Sequence, residues 1–535
     1  MRIEMDKRFI AELPKTGLAG LKAHWPSDLQ SGLLVFLIAL PLCLGISVAS
    51  GFPPSAGIIT AVIGGVLVSR ISGSYLTING PAAGLIVVVL AAVQALGEGD
   101  ALAGYRYTLA AIVVASVLQV LMGVFKLGRL SAFFPASVVH GMLAAIGLII
   151  VITQTHVMLG VTPEPGSLFS SIAQIPHSLL NMNTQTVLIS FLGLEILIVW
   201  PLLNTKIPAS VMVVLVGMLF AWHFGLDHQT TLAGTGYLVA IPDDFLTSFC
   251  FPDFSKITTV AFWEAVLGIS LVGSLESLLS AAAVDKLDPY KRTSDLDRDL
   301  TAVGIGNVVC GLLGGLPMIA EIVRSSANIN HGAKTAWANF FHGLLLLLFV
   351  VLFTGLIQRI PLASLATLLV YTGYRLASPK AFARVGDIGK EQLAMFVVTI
   401  AGVLAVDLLF GVALGIIAKL AISLVRGVWP GNLFKIHFTI GPRADGTIVV
   451  KLLGSALFSN FLPLKQSLAT LEQGKTVVFD FSDGYLIDHT VMEFIHDFKL
   501  NYEAQGGQCQ KIGQAMETFS DHALAARLMT ADDRK

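Results

Sequence analysis

Apolar residues gather in this chain into runs of bilayer-crossing length, parted by short polar connections that hold most of the charge. At about 20 residues per span, the pattern predicts helices near 30–50, 53–71, 80–97, 105–127, 134–158, 184–203, 208–225, 258–284, 299–315, 318–331, 335–357, 360–376, 391–408 and 410–427. That is fourteen segments, or seven plus seven. After Pro430 the pattern changes. Thr447–Leu453 and Thr476–Phe481 read as strands, while Phe461–Glu472 and Thr490–Gln505 repeat at helical period and Gly506–Gly507 is a stop. Strands alternating with helices imply a small α/β domain around one sheet. The expected division is a cytoplasmic amphipathic leader over 1–28, a membrane domain over 29–429 and a soluble domain over 435–535.

Two apolar stretches break the pattern. Tyr75–Val89 and Gly314–Ile329 place Gly, Pro and small residues inside expected spans, at corresponding positions of the two halves. Such a pair points to the substrate site of an inverted-repeat transporter. A proline stops the preceding structure, so a half-helix begins near mid-membrane with unpaired amides and its positive end toward a cavity. That end attracts anions.

Composition and charge sharpen this picture. With 55% hydrophobic and 13% charged residues and a mean hydropathy of +0.77, the chain is far less charged than the ~25% average of soluble domains. It is expected to be a multi-pass protein of the cell inner membrane, in contact with lipid. Arg70, Lys126, Arg129, Lys206, Lys286, Lys291, Arg292, Arg298, Lys334, Arg375, Lys380, Arg384 and Lys390 fall on one side together with Lys7, Arg8, Lys15 and Lys22. The other side holds chiefly Arg106, Lys256 and Arg359. The positive-inside rule then puts both termini in the cytoplasm. The N-terminal segment lacks the form of a cleavable signal peptide. Scattered Lys and Arg give no nucleic-acid footprint, and the four cysteines, Cys43, Cys250, Cys310 and Cys509, have no metal or disulfide spacing. Neither a P-loop nor a GxSxG or HExxH motif occurs, which disfavours an enzyme or an ATP-driven pump.

Within the spans, a few residues carry chemistry. Glu276 lies in an apolar run with Ser280 one turn on, sharing its face. A carboxylate at membrane depth costs on the order of 3 kcal/mol and marks an ion or proton path, or else a hydrogen bond between helices. Glu321 and Arg324 are spaced to pair at i and i+3, with Asn328 a turn further. They are either part of an anion site or a structural ion pair. A dianion would suffer more than a monoanion from Glu276 and Glu321. His140, His156 and His342 are candidate proton carriers or interhelical hydrogen-bond partners.

These segments resemble the SulP family of anion transporters over essentially the whole chain. The resemblance rests on Ala39–Ala56, Gly73–Leu85, Pro135–Gly160, Gly273–Asp285 and Asp299–Thr335, which ends in RSSANINHGAKT. It implies an α-helical polytopic fold of fourteen spans in two inverted repeats, divided into core and gate domains, with a cytoplasmic α/β STAS domain. It further implies a homodimer and elevator-like transport. An anion would sit near Ala82, Ala83, Ala320, Glu321, Ile322 and Arg324, with Leu42 and Ile46 lining it. Many sulfate-type members have glutamine where Leu42 stands, and Leu42 is as apolar there as the residue of bicarbonate-type members. In those, an acidic residue of the eighth span helps bind sodium. Glu276 and Ser280 hold the matching positions and are the candidate sodium ligands. Ile322 replaces a further ligand, so Glu321 either substitutes for it or carries a proton. No other cofactor is expected.

The tail resembles a STAS domain through Val477–Thr490, with His489 where related domains carry a phosphorylatable serine. An assembly role is expected, with partner or nucleotide sensing as the alternative. The resulting expectation is a secondary active transporter of a small inorganic anion, bicarbonate with sodium or protons. The alternatives are a proton-coupled sulfate permease and a non-transporting membrane sensor or scaffold signalling through its STAS domain.

Overall fold

A computed structural model describes the chain except residues 1–12, 129–133, 163–167, 204–206, 232–234, 472–473, 505, 514–516, 519, 521, 523 and 529–535. Lys7, Arg8, Arg129 and Lys206, and the expected helix ends at Glu472 and Gln505, lie outside the described residues. The chain forms two compact units. One comprises Leu13–Gly128 and Ile146–Leu376, and the other the described parts of Arg129–Ala145 and Ala377–Lys535.

The first unit opens with α1 (Gly17–Ala49) and α2 (Pro54–Ile63), which a π turn over Gly64–Val68 carries on to Ser69–Ile71. A short strand β1 (Asn79–Pro81) and a 3-10 turn (Ala83–Leu85) lead into α3 (Ile86–Gly97). Then come α4 (Ala101–Val124), α5 (Ala136–Met158), whose residues up to Ala145 belong to the second unit, α6 (Leu168–Leu180), α7 (Thr184–Leu203), α8 (Ala209–His223), α9 (Val260–Leu287) and α10 (Leu296–Leu313). Strand β2 (Met318–Ala320) precedes α11 (Ile322–Asn330), followed by α12 (Trp337–Leu352) and α13 (Leu362–Leu376). Local chemistry sets several starts: Asp100 accepts from the amides of Leu102 and Ala103, Thr259 from that of Phe262, and Pro54 stands at the first helical position.

Helix α1 runs unbroken through the boundary read at 28/29. Asp28 is fully buried there, its carboxylate accepting from the amides of Lys334 and Thr335 and from the Thr335 hydroxyl. Phe36, Leu40 and Leu44 of α1 pack with Ile58 and Ile59 of α2 and Leu346 and Val350 of α12. On the outside, Phe191, Ile198, Leu202, Leu219 and Trp222 are all more than half exposed. Water does not accommodate such a band, whereas hydrocarbon does. Among the described residues, 7 helices are long and apolar enough to cross a membrane, and Ala83–Gly97, Ala209–His223 and Trp337–Leu352 are shorter apolar helices. The molecule is a multi-pass membrane protein.

The second unit holds α14 (Pro379–Ile388), α15 (Lys390–Ala405) and α16 (Leu408–Val425), followed by a mixed sheet. Its strands are β3 (His437–Pro442), β4 (Ile448–Ala456), β5 (Thr476–Ile487), β6 (Gln508–Ile512), β7 (Glu517–Thr518) and β8 (Arg527–Leu528), with α17 (Leu462–Ala469) after β4 and α18 (His489–Ala504) after β5. The order is β3-β4-β5-β8-β7, with β6 also pairing β5. Strand β5 is parallel to β4 and β6 and antiparallel to β8. Alternation along β4 buries Ile448, Val450 and Leu452 against Phe479, Phe481, Val491 and Ile495. Strand β5 continues six residues past the expected end at Phe481, and after a shift in register Asp483 and Gly484 still pair with Leu453 and Gly454 of β4.

Candidate functional site

The two interrupted stretches meet as a ribbon. Strands β1 and β2 pair antiparallel, Asn79 opposite Ala320, Gly80 opposite Ile319 and Pro81 opposite Met318. Unwound backbone at membrane depth must find partners inside the protein, and side chains of neighbouring helices supply the rest. Asn307 of α10 accepts from the Met318 amide and donates to the Met318 carbonyl. Ser277 of α9 accepts from the Ala320 amide, Ser325 of α11 accepts from the Ile78 amide, and Asn328 donates to the Leu76 carbonyl. Because the strands are antiparallel, the chain leaves β1 toward α3 and β2 toward α11 at opposite ends of the ribbon.

Each start has a carboxylate. Glu276, buried in α9, lies against the beginning of α3 at Gly84: a Cβ built there would fall 2.0 Å and 2.1 Å from its two carboxylate oxygens. Only a residue without a side chain admits this approach. The Oε1 atom of Glu276 has no hydrogen-bond partner. At the other start, Glu321 is the N-cap of α11, with extended φ −102° and ψ 116°, and its Oε2 accepts from the Arg324 amide at 3.0 Å.

This corrects the expected ion pair. The Glu321 carboxylate turns to the backbone of Arg324, while the guanidinium turns away and donates from Nη2 to the Pro81 carbonyl at 2.9 Å. Arg324 is 1% exposed, and its Nε and Nη1 have no partner. Gly80 makes room for it, since a Cβ there would lie 2.5 Å from Nη1.

Of the other residues read as a site, Ala82, Ala83, Ala320 and Ile46 are buried, Leu42 is half-buried, and Ile322 is 40% exposed. Ser280 is half-buried one turn from Glu276. His156 joins α5 to α6, its Nδ1 at 2.7 Å from the Ser178 hydroxyl and Nε2 at 3.0 Å from the Ser171 carbonyl. Both ring nitrogens of the fully buried His342 lack a partner. The sequence reading missed Gly80, Gly84, Asn307, Ser277 and Ser325. Their signal was available as polar residues and glycines inside apolar runs.

A paired, polar-lined ribbon that leads into two helix starts defines the class: a membrane transporter built around broken helices. Residues 26–399 match the Sulfate permease family, and the chain belongs to that family, as an anion transporter. It is 27% identical over 494 residues to a "Putative sulfate transporter YvdB" of Bacillus subtilis, covering 91% of each chain. It is also 27% identical over 406 residues to the "Bicarbonate transporter BicA" of a Picosynechococcus, covering 75% of this chain and 70% of that one. The fold is that of the transmembrane domain of a cyanobacterial bicarbonate transporter BicA, with TM-score 0.63 at 23% identity over 74% of this chain and 97% of that one. It is likewise that of murine Slc26a9 in an inward-facing state, with TM-score 0.66 at 17% identity over 94% and 87% of the two chains.

Proposed function

We propose that this protein takes up bicarbonate by secondary active transport, coupled to sodium or protons. The carrying observation is that both half-helix starts already have a carboxylate, Glu276 at Gly84 and Glu321 on α11. Fixed negative charge next to an anion site penalises a dianion about twice as much as a monoanion. In this reading the anion lies by Ala82, Ala83, Ala320, Glu321, Ile322 and Arg324, with Leu42 and Ile46 beside it. Glu276 and Ser280 hold the coupling ion, either as oxygen ligands to sodium or through a proton on Glu276.

The fourteen helices cross the membrane as seven plus seven, both termini are cytoplasmic, the protein is a homodimer, and core slides against gate. The C-terminal sheet is a STAS domain with an assembly role. Its supporting feature is His489, which is buried with Nδ1 at 2.7 Å from the Leu524 carbonyl and so is unsuited to a phosphorylation switch.

A sulfate permease is the second reading, favoured by the likeness to YvdB over 91% of both chains. Uptake of labelled bicarbonate and labelled sulfate into proteoliposomes, with sodium and pH gradients imposed separately, decides between them. Sulfate uptake that exceeds bicarbonate uptake overturns the proposal.

A further inference from the structure

We propose that the Glu321 carboxylate is a tethered competitor: it occupies the anion seat at the start of α11, and the transported anion binds by displacing it. The inference rests on the anion-site reading above and adds the state of that site in the resting protein.

Three observations carry it. Glu321 is not part of the helical spiral. Its extended backbone folds the side chain back over its own helix start, where Oε2 accepts from the Arg324 amide. A carboxylate there takes up the same donor and the same positive helix end that an incoming oxyanion would use. Second, the bond is not an ion pair with Arg324, because that guanidinium is directed to Gly80 and Pro81, Nη2 donating to the Pro81 carbonyl. Swinging Glu321 outward therefore breaks one hydrogen bond and leaves the arginine's setting intact. Third, Arg324 is almost wholly buried with Nε and Nη1 unpartnered, so cationic donors remain beside the ribbon that Glu321 does not satisfy. Glu321 itself is only half-buried, which leaves the carboxylate somewhere to go.

A site whose competent state is fractionally populated shows an affinity reduced by that fraction. One charge-assisted cap holds the closed state by an amount typical of N-caps, so freeing the seat should tighten anion binding by roughly tenfold. The opposite sign follows if Glu321 helps to hold the anion through a bound proton or cation, because its removal would then weaken binding.

The test is equilibrium binding to the full-length protein in detergent, read as thermal shift on titration with bicarbonate, sulfate, chloride and nitrate. It is run on wild type, Glu321→Ala, Glu321→Ser and Glu321→Asp. Glu321→Ala should bind the preferred anion about tenfold more tightly and Glu321→Asp should remain near wild type. Glu321→Ser keeps a neutral cap should Ala destabilise the helix, and it should also bind more tightly than wild type. The preferred anion, whichever it is, judges the bicarbonate reading, while the ratio of variant to wild type judges the competitor. Unchanged or weaker binding in both Glu321→Ala and Glu321→Ser overturns the inference. No anion binding to any of the four proteins overturns both readings.

Discussion

Replacing Gly84 with alanine should disable the proposed coupling site without touching a charged residue. The added methyl would lie 2.3 Å from the Glu276 carboxyl carbon and 2.0 Å from one oxygen, whereas ordinary contact begins near 3.4 Å. The carboxylate must then retreat by about 1 Å or more, inside a packed interior where such overpacking costs about 1–3 kcal/mol. A displacement of that size at a reacting or binding centre reduces rate by up to about a hundredfold. Gradient-driven uptake into proteoliposomes should therefore fall by one to two orders of magnitude, with a thermal midpoint lowered by only a few degrees. Glu276→Asp withdraws the carboxylate by one methylene, so Gly84→Ala combined with Glu276→Asp should transport better than Gly84→Ala alone. Wild-type uptake by Gly84→Ala, or a double variant no better than the product of the two single effects, would refute the contact as the cause.

Three further outcomes follow from other parts of the molecule. Glu276→Gln should abolish ion-dependent uptake while the protein still purifies as folded, since the amide keeps the shape and loses the charge; retained sodium or proton dependence counts against the assignment. Burial pushes the Cys509 thiol up to about 11, above its unfolded value near 8.5. The thiolate is thus disfavoured in the fold, and stability should decline as pH rises from ~8.5 toward 11, a slope that Cys509→Ala should flatten in alkaline denaturation. Removing Gly441–Lys535 should lower expression and thermal stability more than it alters substrate choice, because Lys419, buried in α16, loses Asp488 at 3.9 Å and the apolar face left on β3 loses its cover from β4; normal purification of the truncated protein would contradict this.

Much of the fold was legible because lipid imposes a simple rule: a span is an apolar run of known length. Proline and glycine inside two of those runs announced broken helices, and the runs 80–97 and 318–331 do contain them. The ribbon was not legible. Three residues per strand leave no period to read, and their pairing joins positions more than two hundred residues apart. The misplaced pair of Glu321 and Arg324 has a related cause. Spacing of i and i+3 brings side chains together only if both residues are helical, and Glu321 stands one position before the first helical residue. In the tail, Ser482, Asp483 and Gly484 have the composition of a turn, but β4 beside them holds the chain extended, an instance of tertiary context overriding local preference.

The distribution of unsatisfied groups separates what builds the ribbon from what it is for. The two strands pair with each other, and Asn307, Ser277, Ser325 and Asn328 bond backbone groups of Met318, Ala320, Ile78 and Leu76. Among the described residues, the charged side chains with a buried orphan polar atom are Glu276, Asp299, Arg324 and Arg527, and Glu276 and Arg324, of opposite sign, lie at the ribbon and the turn after it. A purely structural crossing would place apolar residues there, since a buried ionic group adds little stability over a well-packed apolar one. A protein that keeps an incompletely satisfied carboxylate at Gly84 and a guanidinium at Gly80 and Pro81 holds both at a cost in stability, and such costs concentrate where function requires them. Substituting Arg324 by Met should accordingly raise the thermal midpoint or leave it unchanged while abolishing anion uptake. A marked loss of stability would instead make the guanidinium's bond to Pro81 its principal purpose.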